Sequence, residues 1–214
     1  MLFIFDWDGT LCDSKGKITK AMQLAACDLG LESLADEVIH NIIGLGLPEA
    51  IHRLYPEVEF TSRQRLREVY ADHFLSLDKE RPSDFFPGVA ETLRQLKAGG
   101  HSLTVATGKS RKGLDRIFAV HGLTDFFHAS RCADETASKP DPLMLMQLLE
   151  EFQVTAADAV MIGDTEYDME MARRIDMPRV AVSYGAHHIS RLHPYEPELC
   201  LDRFDQLLLW DRLS

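Results

Sequence analysis

The chain has 214 residues, 45% of them hydrophobic and 27% charged, a balance that supports a folded core and argues against disorder as a theme. Its 23 basic residues against 34 acidic ones give a formal charge of −11, which lacks the positive footprint that a nucleic-acid or anionic-membrane partner requires. The length exceeds that of the commonest single domain and falls short of two equal ones, so one core domain with a sizeable insertion is expected.

The chain opens on the apolar run Leu2-Phe3-Ile4-Phe5, which ends abruptly in Asp6-Trp7-Asp8-Gly9-Thr10. Positions two apart on an extended segment share a face, so Asp6 and Asp8 can address one small volume if the strand persists that far. Two like charges there call for a proton or a cation, as reactive centres often do. From Ile18 to Leu29 the apolar residues follow a helical stripe, and Gly30 stops it. The pattern stays helical to about Lys79, broken at Gly44-Leu45-Gly46-Leu47-Pro48-Glu49 and at Pro56, with no convincing strand.

Alternation then resumes. A helix is expected over Val89 to Lys97, a strand over Ser102 to Ala106, and a helix to about Val120 that starts after Thr107-Gly108-Lys109-Ser110. A short strand near Phe126 to Ala129 follows, then a loop to Pro142 and a helix from Leu143 to Phe152. Next come a strand at Ala159 to Ile162 ending in Gly163-Asp164-Thr165, a helix to Ile175 and a strand near Arg179 to Val182. The tail offers a short strand at Leu199 to Leu201 and an amphipathic helix from Phe204 to Leu213. This cadence predicts an α/β fold with a parallel sheet covered by helices on both faces. The roughly sixty purely helical residues in its midst look like an inserted cap.

Three of the strands end in polar clusters, and open parallel sheets carry their ligand sites at those carboxyl ends. The clusters are Asp6 with Asp8, Thr107 with Gly108, and Gly163 through Asp168. Ser138-Lys139-Pro140-Asp141-Pro142 adds a lysine in a loop stiffened by two prolines. Taken singly, Asp8 to Thr10 can be only a turn, Asp164 only a helix cap and Lys139 only a solvated lysine. The sequence Thr107-Gly108-Lys109-Ser110 imitates the tail of a P-loop, but that motif needs glycine where Leu103 stands. His187, His188 and His193 have no metal-dictating spacing and are expected at the surface or facing the cap.

Asp6-Trp7-Asp8-Gly9-Thr10-Leu11, Thr107-Gly108, Lys139-Pro140 and Gly163-Asp164-Thr165-Glu166-Tyr167-Asp168 together resemble, in order and spacing, the four motifs of the haloacid dehalogenase superfamily. The helical insert resembles its C1-type cap, and the likeness is nearest to the phosphoglycolate phosphatase-like branch. It implies a Rossmann-like core of residues 1–14 and 81–214 with a cap of residues 15–80, and Mg²⁺-dependent hydrolysis of a small phosphorylated metabolite. Asp6 would be the nucleophile that forms an aspartyl-phosphate, and Asp8 the general acid and then base. Mg²⁺ would be held by Asp6, the main-chain carbonyl of Asp8 and Asp164, with Asp168 completing the shell. Thr107 and the Gly108 amide would donate to phosphoryl oxygens, with Lys139 offsetting developing charge. Gly44, Leu45, Leu47 and Arg53 fall where relatives carry a substrate-facing loop. Trp7 departs from the smaller or unbranched apolar residues usual at its position.

A dehalogenase needs no proton for its leaving halide, so Asp8 counts against one. A phosphomutase, pyrophosphatase or nucleotidase would share every motif, and a non-catalytic phosphate-binding protein would have no use for all of them. The scattered cysteines Cys12, Cys27, Cys132 and Cys200 and the lack of any apolar run near 20 residues lead us to expect reduced thiols and a cytoplasmic location. Cys12 reads as a small apolar filler. Nothing in the sequence sets an oligomeric state.

Overall fold

The computed structural model describes residues 1–213. Six strands, β1 (Leu2–Phe5), β2 (Ser102–Thr107), β3 (Ala129–Cys132), β4 (Ala159–Gly163), β5 (Arg179–Val182) and β6 (Leu199–Leu201), form one sheet in the order β3-β2-β1-β4-β5-β6. Every neighbouring pair is parallel. The order reverses at β1, which pairs with β2 on one side and β4 on the other, and the crevice beyond such a switch point is where open α/β sheets bind ligands.

Strand alternation sorts β1 between the two layers. Phe3, Phe5 and Trp7 face one apolar cluster, with α5 (Val89–Ala98) and α6 (Arg111–His121) against it. Leu2 and Ile4 face the other, with α7 (Leu143–Phe152) and α8 (Glu166–Arg173). Trp7 is fully buried, its ring edge-on to Phe85, Phe118 and Phe127 at centroid distances of 5.8, 5.4 and 6.2 Å. Its bulk therefore fills the core behind the site, while Asp6 lies on the opposite side of the chain.

Residues 15–80 carry α1 (Lys15–Asp28), α2 (Asp36–His40), α3 (Leu47–Leu54) and α4 (Phe60–Glu80), and no strand. They share their own apolar cluster, including Met22, Ile39, Leu45, Ile51, Leu66 and Phe74, joined from the sheet side by Tyr167. The chain leaves and re-enters the sheet unit at one place. The Asp13 amide donates to the Asp84 carbonyl at 2.9 Å, and Cys12 bridges Phe85 in antiparallel fashion.

Two elements differ from the sequence expectation. The third strand lies at Ala129–Cys132, three residues beyond Phe126 to Ala129, because Phe126 and Phe127 are spent on a turn and on the aromatic cluster. The C-terminal helix is two 3₁₀ segments, Phe204–Leu209 and Asp211–Leu213. Phe204, Leu207 and Trp210 are the buried residues there, a period of three that suits a 3₁₀ ridge rather than an α-helical stripe. No helix among the described residues is long and apolar enough to cross a membrane.

Candidate active site

The carboxyl ends of β1 and β4 bring three aspartates into one buried volume. Ligand oxygens of Asp6, Asp164 and Asp168 all lie within 4.8 Å of one another, each residue at most 1% exposed. Gly9 makes room for this. It sits at φ +87°, and a Cβ there would stand 2.2 Å from Asp164 Oδ2, so both its backbone conformation and the close approach require glycine. Asp164 is fixed by the Thr10 hydroxyl, which donates to Oδ1 at 2.8 Å, and by the Ala186 amide, which donates to Oδ2 at 2.7 Å.

Lys139 enters from the loop before α7 and is itself buried, its Nζ donating at 2.6 Å to both Asp6 Oδ1 and Asp168 Oδ1. Asp168 Oδ2 accepts from the Thr165 amide and hydroxyl, at 3.1 and 2.7 Å. Asp168 is thus committed on both oxygens, as Lys139's holder and as the third helical residue of a capping box on α8. Thr165, not Asp164, caps that helix. In contrast, Asp6 Oδ2 is buried with no hydrogen-bond partner among the described residues.

One ammonium among three carboxylates leaves two negative charges uncompensated if all three are ionised in this buried cluster. Burial, opposed by Lys139 and reinforced by Asp168 and Asp164, holds the Asp6 carboxyl well above its ordinary range. Burial and the Asp168 charge likewise push Asp164 up, to about 7. Burial alone would pull the Lys139 ammonium down, but Asp168 and Asp6 together hold it above its ordinary value. A charge deficit of two, an orphaned oxygen and hard carboxylate donors fit a divalent cation.

The raised carboxyls carry a sign. The metal-free fold retains protons that the unfolded chain loses above roughly pH 4, so stability is fully present below that value and declines as pH rises through the folded values, up to about 7 for Asp164. A divalent ion held by these carboxylates would replace those protons. Adding it at about 100 times its Kd is expected to stabilise the protein by about 2.7 kcal/mol at pH 8 and by clearly less at pH 5.5, read by thermal unfolding. Equal stabilisation at both pH values would mean that these aspartates do not bind the ion.

The Asp8 carboxylate does not join the three. Its Oδ1 accepts the Ser14 hydroxyl at 2.5 Å and pairs with Lys109 Nζ at 2.9 Å. Thr107 ends β2 fully buried, with its hydroxyl oxygen accepting the Lys109 amide at 3.2 Å. Lys109 was not singled out from the sequence, since the rejected P-loop likeness was the only signal at that position. Cys12 is buried, its thiol pushed up to about 12 by burial, in keeping with a packing role.

The loop between α2 and α3 is laid across the strand ends. The Gly46 amide donates to Ser138 Oγ at 2.9 Å, and Gly44 rests against Thr165. A Cβ on Gly108 would stand 2.4 Å from the Leu45 carbonyl oxygen, so the loop's main chain can sit there only over glycine. Gly108→Ala is expected to lower the unfolding free energy by about 1–3 kcal/mol in denaturant titration, and unchanged stability would unseat this contact.

Leu45 itself is buried in the helical insert's own cluster, offering its carbonyl rather than its side chain to the seam. Leu47 packs partly buried against the same cluster. Arg53 pairs with Glu49 at 2.7 Å and lies over the Tyr167 ring at 5.4 Å. The buried His187 faces the insert: its Nδ1 accepts the Glu166 amide at 3.2 Å, and Nε2 lies 3.4 Å from the Asn41 carbonyl. His188 and His193 are exposed.

A family model for "Haloacid dehalogenase-like hydrolase" matches residues 3–182. The chain belongs to the haloacid dehalogenase-like hydrolases. Among relatives of this family, "Probable phosphatase IndB" of Dickeya dadantii is 31% identical over 97% of this chain and 91% of its own length. A phosphoglycolate phosphatase of Vibrio vulnificus is 28% identical over 97% of this chain and 94% of its own. A crystal structure of a "predicted phosphoglycolate phosphatase" from Haemophilus somnus superimposes with a TM-score of 0.88 over 97% of this chain and 96% of that one, at 23% identity, which establishes the shared fold of this hydrolase.

Proposed function

We propose that this hydrolase is a Mg²⁺-dependent phosphatase that releases phosphate from a small phosphate monoester through an aspartyl-phosphate on Asp6. The observation that carries the reading is the Asp6 carboxylate, one oxygen held by Lys139 and the other buried without a partner at the switch point of the sheet. The two Asp6 oxygens would then divide the work, the one beside Lys139 attacking phosphorus and the unpartnered one meeting the cation. Asp6, the main-chain carbonyl of Asp8 and Asp164 would hold Mg²⁺, with Asp168 behind them keeping Lys139 in place. When bound, the ion supplies positive charge against the phosphoryl oxygens.

The chain's own groups divide the remaining work. Asp8 gives a proton to the departing alcohol and later takes one from the water that hydrolyses the aspartyl-phosphate. The Thr107 hydroxyl and the Gly108 amide donate to phosphoryl oxygens, and the Lys139 ammonium offsets charge that builds on them. The helical insert, residues 15–80, acts as the cap that keeps water out during phosphoryl transfer, with the Gly44 to Arg53 segment beside the substrate.

The relatives named phosphoglycolate phosphatase support a small anionic ester as substrate. A cytoplasmic setting fits the four free cysteines. The test is phosphate release from a panel of phosphorylated metabolites, 2-phosphoglycolate among them, with Mg²⁺ and with chelator. Metal-dependent release is expected. Conversion of one sugar phosphate into another without release would make the protein a mutase, and inertness across the panel would make it a non-catalytic binder.

A further inference from the structure

Asp8 has a partner to which the scheme above gives no duty. The Ser14 hydroxyl and the Lys109 ammonium both meet Oδ1 of Asp8, and no donor among the described residues meets Oδ2. The Asp8–Lys109 pair is nearly enclosed, each side chain 11% exposed. A carboxylate held through one oxygen by a hydrogen bond and an ion pair is restricted in direction, and its other oxygen is left unengaged.

The ammonium is also seated from the insert's side. Lys109 Nζ lies 4.7 Å from the centroid of the Phe74 ring on α4, within the range of a cation–π contact. Lys17 and Arg116 approach the same ring, at 5.8 and 5.9 Å. Both of those cations are held by the buried Asp78, at 2.5 and 3.5 Å. Asp78 thus occupies the two neighbours, and the carboxylate paired with Lys109 is Asp8.

We infer that Lys109 is a positioning residue for phosphoryl transfer: together with Ser14 it pins Oδ1 of Asp8, so that Oδ2 carries the proton to the departing alcohol. The inference rests on the phosphatase reading and adds a residue to it. In the step concerned, an Asp6 oxygen bonds to phosphorus as the bond from phosphorus to the alcohol oxygen breaks. The proton on Asp8 Oδ2 passes to that oxygen, the alcohol leaves neutral, and Asp8 is left as the carboxylate that Lys109 pairs with. Phe74 ties this arrangement to the seated insert, since the ring belongs to α4 and the lysine to the loop after β2.

A positioning role of this kind has a signature in the leaving group. 4-Nitrophenolate departs with little need of a proton, whereas an uncharged alkyl alcohol needs one. Lys109→Met is expected to lower kcat/KM for an alkyl monoester at least about 30-fold and for 4-nitrophenyl phosphate less than about 3-fold, within the span of general acid catalysis. Lys109→Arg, which keeps a cation over Phe74, is expected to return the alkyl ester to within about 5-fold of the parent enzyme. Circular dichroism checks that both variants fold, and Lys109→Gln serves the same comparison if the methionine variant does not.

Equal losses on the two esters would make Lys109 a phosphate-binding or merely structural residue and overturn the inference. No loss on either, or an arginine variant as damaged as the methionine one, would overturn it too. A parent enzyme inert on both esters would remove the phosphatase reading itself and this inference with it. An active parent with an undiscriminating Lys109→Met removes only the latter.

Discussion

Asp6→Asn is expected to lower kcat on an aryl phosphate by at least about 10⁴-fold, as loss of a nucleophile that no neighbour can replace does. Asp164 and Asp168 stand close by, but Asp164 is held on both oxygens by Thr10 and Ala186, and Asp168 by Lys139 and Thr165. The substitution removes one of three carboxylates competing for a single ammonium. The metal-free variant is therefore expected to unfold at a temperature no lower than the parent's, which separates lost chemistry from lost folding. Acid-quench trapping should find a phosphorylated chain in the parent and none in the variant. Retention of turnover within tenfold would remove Asp6 as the nucleophile.

Lys139→Met is expected to damage both stability and turnover. The ammonium is buried between Asp6 and Asp168, and breaking such an arrangement from one side costs about 3–5 kcal/mol because the remaining charges are left unpaired. The sign with pH follows from the raised carboxyls: near pH 5 Asp6 and Asp164 can take up protons and the loss shrinks, while near pH 8 it is full. Turnover is expected to fall at least about 10³-fold even where a divalent ion restores the fold, since a charge aimed at the transition state has gone. Denaturant unfolding at the two pH values and kcat with saturating metal check the two halves. A variant unfolding like the parent at pH 8 would mean that Lys139 is not the group that holds this cluster.

The sequence reading reached the sheet, its parallel pairing and the ends of its strands because β1, β2 and β4 are short apolar runs stopped by polar turns. It reached Asp6, Asp164, Asp168 and Lys139 as a group only through three separate motifs, since their meeting depends on β1 and β4, far apart in the chain, being neighbours in the sheet. Other features lie outside local pattern. The pairing of Asp8 with Lys109 depends on the turn that follows β2, and the burial of Leu45 on how the insert's helices close over one another. The start of β3 was displaced by three residues because Phe126 and Phe127 suit a strand and an aromatic cluster equally well, and the packing around Trp7 decides between them. The 3₁₀ ending was legible in principle, in the three-residue spacing of Phe204, Leu207 and Trp210, which an amphipathic α-helix also accommodates over so short a stretch.

The junction at Asp13 and Asp84 has an evolutionary side. Because the amide of one donates to the carbonyl of the other, the seventy residues between them begin and end within a single hydrogen bond. Strand order, register and all three clustered aspartates lie outside that interval. Such an interval can lengthen, shorten or be exchanged as a module without disturbing the sheet, because its ends need never move apart. Ser14 is its first residue and its hydroxyl donates to Asp8, so an exchange at this junction would bring a new insert and a new hold on Asp8 in one event. The insert can therefore diversify on one side of the junction while Asp6, Asp164 and Asp168 stay together on the other.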